Sequence, residues 1–215
     1  MADVRVVGTP DEIELIARSH GTVPRMSKRR DGGSAGYFKV EAPKVICLDC
    51  ETTGLDPVED EILTLSIVDW SGKTLLDGKY KPGHKTEWPE AARVNGIWPE
   101  DVADCPSFFD DHEKIREIVW SADEIIAYNA KFDLSFLSYN DIAPQSWTKV
   151  TDTMLEFARY YGDWSDYFND WKWQKLVDAA EFIEYEWTGR AHGSLADALA
   201  TLAVQKWLER KRRNE

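Results

Sequence analysis

The sequence predicts an α/β fold: a mixed β-sheet flanked by helices, preceded by a small α+β appendage. Three observations point there. Three strand-like apolar runs follow one another near residues 45–55, 60–70 and 74–80, with tight turns between them. Beyond residue 105, short apolar runs alternate with helical patterns, as a partly parallel sheet requires. A chain of 215 residues, 43% hydrophobic and 30% charged, is long enough to bury one proper core.

Residues 1–43 read as the appendage. Val4 to Val7 suits a short strand. Thr9-Pro10-Asp11-Glu12 is a helix start, with a capping hydroxyl, proline in the first turn and acids at the positive end of the dipole. Ile13, Ile16 and Ala17 give that helix an apolar stripe, and His20-Gly21 ends it. Residues 23–30 and 36–40 flank Asp31-Gly32-Gly33-Ser34 as a hairpin, made basic by Arg25, Lys28, Arg29 and Arg30. That charge suits either a nucleic-acid contact or a solvated edge that discourages sheet-to-sheet aggregation.

The main domain, 44–215, opens on Val45-Ile46-Cys47-Leu48-Asp49-Cys50-Glu51-Thr52-Thr53-Gly54-Leu55. Its apolar start suits a strand buried on both faces. Alternation puts Asp49 and Glu51 on one side, where two acids repel and lose solvation. A hard divalent cation removes that conflict; two solvated acids at the start of a loop are the plainer alternative. Gly54 is free to take positive φ in the turn that follows. Strands are expected at 60–70 and 74–80, and residues 83–105 are loop-like with short helical turns. Ser107 caps a helix to about Trp120. A fourth strand covers Glu124 to Tyr128, and Asn129 caps a helix to about Tyr139. Thr148 to Val150 is a fifth strand, and Asp152 caps a helix to about Tyr160. A helix from about Trp171 to Phe182 lies in an aromatic-rich stretch, and the last helix runs from about Ser194 to Arg210 into a basic tail.

Charge is unevenly spread. The chain carries −13 overall, but residues 1–43 are +1, 44–203 are −17 and 204–215 are +3. An acidic domain between basic ends suits a carboxylate site that holds metal, and also many acidic cytosolic proteins. Cys47, Cys50 and Cys105 make no disulfide framework, and Cys47 and Cys50 face opposite sides of a strand. With no membrane-length apolar run and no signal-peptide core, the expectation is a cytoplasmic protein without a membrane partner.

Two further stretches carry acids that could join the first pair. In Asn129-Ala130-Lys131-Phe132-Asp133 a strand ends and a helix begins, with Asn129 and Asp133 on one helix face. There Asn129 is a cap or a site residue, and Asp133 a solvated or a recruited acid. In Gly189 to Thr201, His192 precedes a helix whose first turns hold Asp197 among small and aliphatic residues. His192 is equally readable as a polar loop residue.

Taken together, Asp49-Cys50-Glu51-Thr52-Thr53-Gly54-Leu55, Asn129-Ala130-Lys131-Phe132-Asp133 and His192 with Asp197 five residues on resemble the three exonuclease motifs of the DEDD superfamily, in its histidine-bearing (DEDDh) branch. That branch includes the proofreading (epsilon) subunit of bacterial DNA polymerase III, oligoribonuclease and ribonuclease T. The resemblance covers roughly residues 44–208, with lesser echoes at Asn95-Gly96-Ile97 and Lys175-Leu176; the family often has His where Asn95 and Tyr128 stand. It implies a ribonuclease H-like fold and metal-dependent hydrolysis of phosphodiesters from a 3′ end, releasing nucleoside monophosphates. It implies two Mg²⁺ or Mn²⁺ ions about 3.5–4 Å apart, held by Asp49, Glu51, Asp133 and Asp197, with His192 as general base. Thr52, Thr53, Gly54 and Leu55 would seat the terminal nucleotide, and Asn129 and Phe132 would contact the strand. The implied substrate is the 3′ end of single-stranded DNA or RNA, DNA being favoured. A DNA polymerase or another replication or repair protein is the implied partner. The competing readings are an RNA-directed exoribonuclease of the same family and a non-catalytic binding module on this fold.

Overall fold

The computed structural model describes residues 2–19, 23–28, 34–40, 44–187 and 193–213. They fall into two compact units, Met1–Pro43 and Lys44–Glu215.

In the first unit, β1 (Ala2–Gly8), α1 (Pro10–Ser19), β2 (Arg25–Lys28) and β3 (Ser34–Val40) form an antiparallel sheet, ordered β1-β3-β2, with one helix. The helix starts where its capping chemistry places it. The Thr9 N–H donates to Glu12 Oε2 at 2.8 Å, and the Glu12 N–H donates to Thr9 Oγ1 at 3.3 Å. Ile13 and Ala17 are buried, whereas Ile16, expected in the same stripe, is exposed. The hairpin of β2 and β3 is present, and its tip with Arg29 and Arg30 lies outside the described residues.

In the second unit a mixed sheet runs β6-β5-β4-β7-β8. β4 (Val45–Thr52), β5 (Ile62–Asp69) and β6 (Thr74–Lys79) are antiparallel, and β7 (Glu124–Ala127) and β8 (Lys149–Asp152) extend β4 in parallel. The helices are α2 (Pro89–Asn95), α3 (Pro99–Val102), α4 (His112–Trp120), α5 (Ala130–Tyr139), α6 (Thr153–Tyr161), α7 (Leu176–Phe182) and α8 (Ser194–Arg213), with a two-stranded ribbon, β9 (Trp164–Ser165) and β10 (Asp170–Trp171), between α6 and α7. Among the described residues, no helix is long and apolar enough to cross a membrane.

β4 is central, and its alternation sorts the two layers. Ile46, Leu48 and Cys50 face a core built with Ile115 and Val119 of α4 and Phe136 and Leu137 of α5. Cys47 faces the other way, against Ala198 and Leu202 of α8. Both thiols are buried and unpaired, on opposite faces as alternation requires.

Three local expectations are corrected. Ser107 caps only a 3₁₀ turn, Phe108–Asp110; α4 begins anew after Asp111, whose backbone is not helical. The helix expected from Trp171 begins at Leu176, because Trp171 pairs across the ribbon with Trp164, ring centroids 5.0 Å apart. The Asn129 side chain caps nothing: Asn129 takes a left-handed backbone, φ 66°, and the cap comes from Asp152. The Asp152 carboxylate accepts from the N–H groups of Asn129 and Ala130 at the head of α5, and from Leu155 N at the head of α6. One acid at the positive ends of two helices thus fixes where β7 hands over to α5.

Candidate active site

Asp49 and Glu51 lie near the carboxyl end of β4, on the face that α8 covers. The start of α8 is held by a hydroxyl relay. Ser66 of β5, directly opposite Asp49 in the register, donates to Asp77 Oδ1 at 2.8 Å, and its Oγ lies 2.8 Å from that of Ser194, the first residue of α8. The Asp197 N–H donates to Gly193 O, so the first turn is formed and carries Asp197 over β4. As a result, Asp49, Glu51 and Asp197 each place a carboxylate oxygen within 4.8 Å of the others.

Asp133 stands beside that trio rather than in it. It is 2% exposed, on the first turns of α5, and its Oδ1 accepts the Cys50 N–H at 2.9 Å. The backbone between Asp49 and Glu51 is therefore tied to the fourth acid.

Burial pushes the Asp49 carboxyl well above the usual range, and the Asp133, Glu51 and Asp197 charges push it further. Burial first, then Asp197 and Asp133, raise Glu51 to about 8. Burial raises Asp133 to about 7, against the pull of the Cys50 hydrogen bond. A cation sharing these oxygens would lower the carboxyls again and favour their ionised form at neutral pH. The donors are hard and anionic, which suits an oxygen-seeking divalent ion. The residues fit the group.

Glu51 belongs to this cluster and also to the wall of a cleft of about 740 Å³. Thr52, Thr53, Gly54, Leu55 and Phe132 line that cleft. Leu55 is 84% exposed there, whereas Thr52 and Thr53 are buried. Asn129 does not line it; it is exposed at the head of α5. His192 lies outside the described residues.

The cleft also contains residues that the sequence reading passed over or noted only in passing. Asn95 of α2 donates from Nδ2 to Thr52 O at 3.1 Å and accepts from Ile97 N at 3.0 Å. Asp60 accepts from Thr53 Oγ1, from Asp56 N and from Lys85, 3.1 Å away. Its carboxylate fills the space beside Gly54, where a Cβ would lie 2.3 Å from Oδ2. Gly54 is therefore required by close approach; it is not among the glycines with positive φ. Glu61 in turn accepts the N–H groups of Gly83, His84 and Lys85. Asn95-Gly96-Ile97 was the one signal here legible in advance.

Carboxylates gathered at the end of the central strand of a mixed sheet, opening on a cleft, define a nuclease of ribonuclease H-like fold. The chain belongs to the RNase_T exonuclease family, whose model matches residues 46–205, and it is an enzyme of that family. It is 31% identical over 168 residues to an uncharacterised exonuclease, CP81, of Escherichia phage 186, covering 74% of this chain and 84% of the phage protein. It is 32% identical over 176 residues to the PolC-type DNA polymerase III of Bacillus subtilis, covering 78% of this chain but 12% of that protein. It is 28% identical over 169 residues to RNA exonuclease 4 of Saccharomyces cerevisiae, covering 77% and 55%. Escherichia coli exonuclease I in complex with a dA16 oligonucleotide shares the fold, with TM-score 0.66 and 18% identity over 80% of this chain and 42% of that one. The family is divalent-metal dependent, and an acidic group that could hold a metal ion is present among the described residues.

Proposed function

We propose that the chain is a 3′–5′ exonuclease that removes nucleoside monophosphates from the 3′ end of single-stranded nucleic acid, DNA being the favoured substrate. The observation that carries this reading is the acidic trio with Asp133 beside it, sharing Glu51 with a cleft of nucleotide size. Bound in pairs, Mg²⁺ or Mn²⁺ would neutralise the phosphodiester, orient the attacking water and stabilise the leaving 3′ oxygen. Asp49, Glu51 and Asp197 would hold them, with Asp133 completing the negative cage. His192 would take the proton from the water; an imidazole with an unperturbed pKa of about 6.5 suits that at neutral pH.

The Thr52–Leu55 turn would seat the terminal nucleotide, with the exposed Leu55 against its base and Phe132 across the cleft. Little base specificity follows, because stacking and backbone contacts do not read base edges. Residues 44–215 would carry the chemistry, and residues 1–43 an accessory contact to the strand or to a replication or repair protein such as a DNA polymerase. The DNA preference draws on the polymerase relatives, and the RNA exonuclease 4 relatives favour the RNA reading.

End-labelled single strands of matched DNA and RNA, digested with Mg²⁺ or Mn²⁺, test all of this. Stepwise shortening from the 3′ end, slower on blunt duplex and blocked by a 3′-phosphate, is expected. Rapid cleavage of a closed circle would sink the exonuclease polarity, and faster loss of RNA would reverse the substrate preference.

A further inference from the structure

Strand β5 sets two hydroxyl residues directly opposite the two acids of β4. In the antiparallel register Ser66 pairs with Asp49 and Thr64 with Glu51. Directly opposite residues share a face of the sheet, with Cβ atoms about 4.5–5.5 Å apart. Both hydroxyl residues therefore stand on the face where Asp49, Glu51 and Asp197 gather.

The two hydroxyls are used differently. Ser66 Oγ is engaged: it donates to Asp77 Oδ1 and lies 2.8 Å from Ser194 Oγ. Thr64 Oγ1 is buried without a hydrogen-bond partner among the described residues. Across β5 its other neighbour is Lys79 of β6, whose ammonium has no acceptor for the hydroxyl proton. Thr201 Oγ1 is unpartnered too, but a helix offers a hydroxyl the carbonyl four residues back. A strand gives Thr64 no such local acceptor. Valine would fill the same space on a strand without stranding a polar atom, so packing alone does not call for threonine here.

Glu51 is the group that Thr64 can serve. It belongs both to the acidic cluster and to the cleft wall. It has one more rotatable bond than the aspartates around it, so its carboxylate needs the most orienting. Asp133, by contrast, is already held by the Cys50 N–H.

We propose that Thr64 is a positioning residue, its hydroxyl donating to the Glu51 carboxylate when that carboxylate holds a divalent cation. The proposal rests on the reading of the acidic group as a metal site. The hydroxyl then gains its acceptor only in the metal-bound protein, and it fixes which way Glu51 presents its oxygens. Groups that orient a metal ligand in this way typically govern metal affinity or activity by roughly 10- to 100-fold.

The test compares Thr64→Val, which removes the hydroxyl at nearly constant shape, with Thr64→Ser, which keeps it. Mn²⁺ affinity is measured by calorimetry on the full chain, and melting is followed in chelator. Thr64→Val should bind Mn²⁺ roughly 10- to 100-fold more weakly than wild type, and Thr64→Ser within about threefold of it. In chelator Thr64→Val should melt no lower than wild type, because a methyl group replaces an unpaired hydroxyl. A threonine needed only for structure would give the reverse, lower melting and unchanged affinity. On a Glu51→Ala background Thr64→Val should weaken Mn²⁺ no further, since the hydroxyl acts through that carboxylate. The assignment is overturned by wild-type affinity in Thr64→Val, by a loss that Thr64→Ser shares, by lower melting of Thr64→Val in chelator, or by a full further loss on the Glu51→Ala background. If wild type binds Mn²⁺ and Thr64→Val binds it weakly, yet no strand is shortened, the exonuclease reading fails and the role of Thr64 stands. A wild type that binds no Mn²⁺ sinks both.

Discussion

The site has two parts, an acidic wall that meets the cleft through Glu51 and a turn that lines the cleft, and they are built on opposite principles. On one side, Asp49, Glu51 and Asp197 crowd their oxygens together, with Asp133 close behind, and burial with the neighbouring charges raises the Asp49 and Glu51 carboxyls above the usual range. On the other, the turn from Thr53 to Glu61 is saturated. Thr53, Asp56 and Lys85 satisfy Asp60, three successive backbone N–H groups satisfy Glu61, and Asn95 bridges the turn to α2. The strained wall is where a cation would bind, and the satisfied wall is where geometry must not drift. Function and stability should therefore respond in opposite senses to substitutions on the two sides.

The largest effect expected is from Asp49→Asn. Turnover should fall by roughly 10³-fold or more if Asp49 holds the ions as proposed. The metal-free protein should nevertheless melt about 2–6 °C higher at neutral pH, since asparagine is neutral without having to take up the proton that the buried Asp49 must hold. Calorimetry of the two proteins in chelator, beside initial rates with Mn²⁺, checks both. A metal-free variant that melts lower would mean that the trio is not strained and that the contrast between the walls is false.

A pH series sharpens the same point. Glu51 and Asp133 titrate near 8 and 7 in the folded protein, above their unfolded values. Acids with raised folded values hold more protons folded than unfolded, so stability is full at low pH and is lost as pH rises through the folded value. Metal-free protein should thus melt progressively lower from about pH 5 to pH 8.5. Saturating Mg²⁺ should flatten the slope, as should Glu51→Gln in part. A slope of equal size with and without Mg²⁺ would show that the cation does not take the proton's place.

On the satisfied wall, Asp60→Ala should destabilise the fold by about 1–3 kcal/mol, through the donors it strands. Its KM should rise more than its kcat falls. Gly54→Ala should be damaging alone, because its Cβ meets the Asp60 carboxylate at 2.3 Å, and much milder in the Asp60→Ala background. A double-mutant cycle should give a coupling of about 1–2 kcal/mol. Simple additivity would show that Gly54 is needed for some other reason.

The walls also differ in how far they could be read in the sequence. The strained one was legible because its acids sit on elements that follow local rules and because the three stretches together resemble the exonuclease motifs; each acid alone reads equally as solvated. β4 is an apolar run with strict alternation, so Asp49 and Glu51 had to share a face, and the head of α8 is a regular helix start. The satisfied wall depends on long-range partners that no local pattern carries. Asp60 reaches back to Gly54 and forward to Lys85, and Asp152 caps α5 from 22 residues away. Gly54 was recognised as special for the wrong physical reason: turn chemistry suggested backbone freedom, and what it supplies is room. The helix expected from Trp171 failed likewise, because the pairing of Trp164 with Trp171 outweighs local helix preference.

Asn95 gives the smallest expected effect and the closest test of the satisfied wall. It is 8% exposed, and both ends of its amide are used: Nδ2 to Thr52 O and Oδ1 from Ile97 N. It touches no acid of the trio through these bonds, so its role is to hold the Thr52 carbonyl, and with it the turn that carries Leu55, against α2. Asn95→Ala strands one buried carbonyl and one buried N–H, a loss of about 1–3 kcal/mol in stability if water does not enter. The cleft is open, so water will reach the Thr52 side, and the lower end of that range is expected. Catalysis should show a KM increase of about 3- to 10-fold, as uniform binding is lost, with kcat within about twofold of wild type. Asn95→Asp separates bonding from charge: it keeps an acceptor for Ile97 N, loses the donor to Thr52 O and places a carboxylate against that carbonyl. It should therefore bind substrate more weakly than Asn95→Ala. Steady-state rates on a dinucleotide, where no upstream contact contributes, isolate the terminal-nucleotide pocket. If Asn95→Ala lowers kcat as steeply as Asp49→Asn while KM stays put, Asn95 acts on the chemistry itself and the division between the two walls fails.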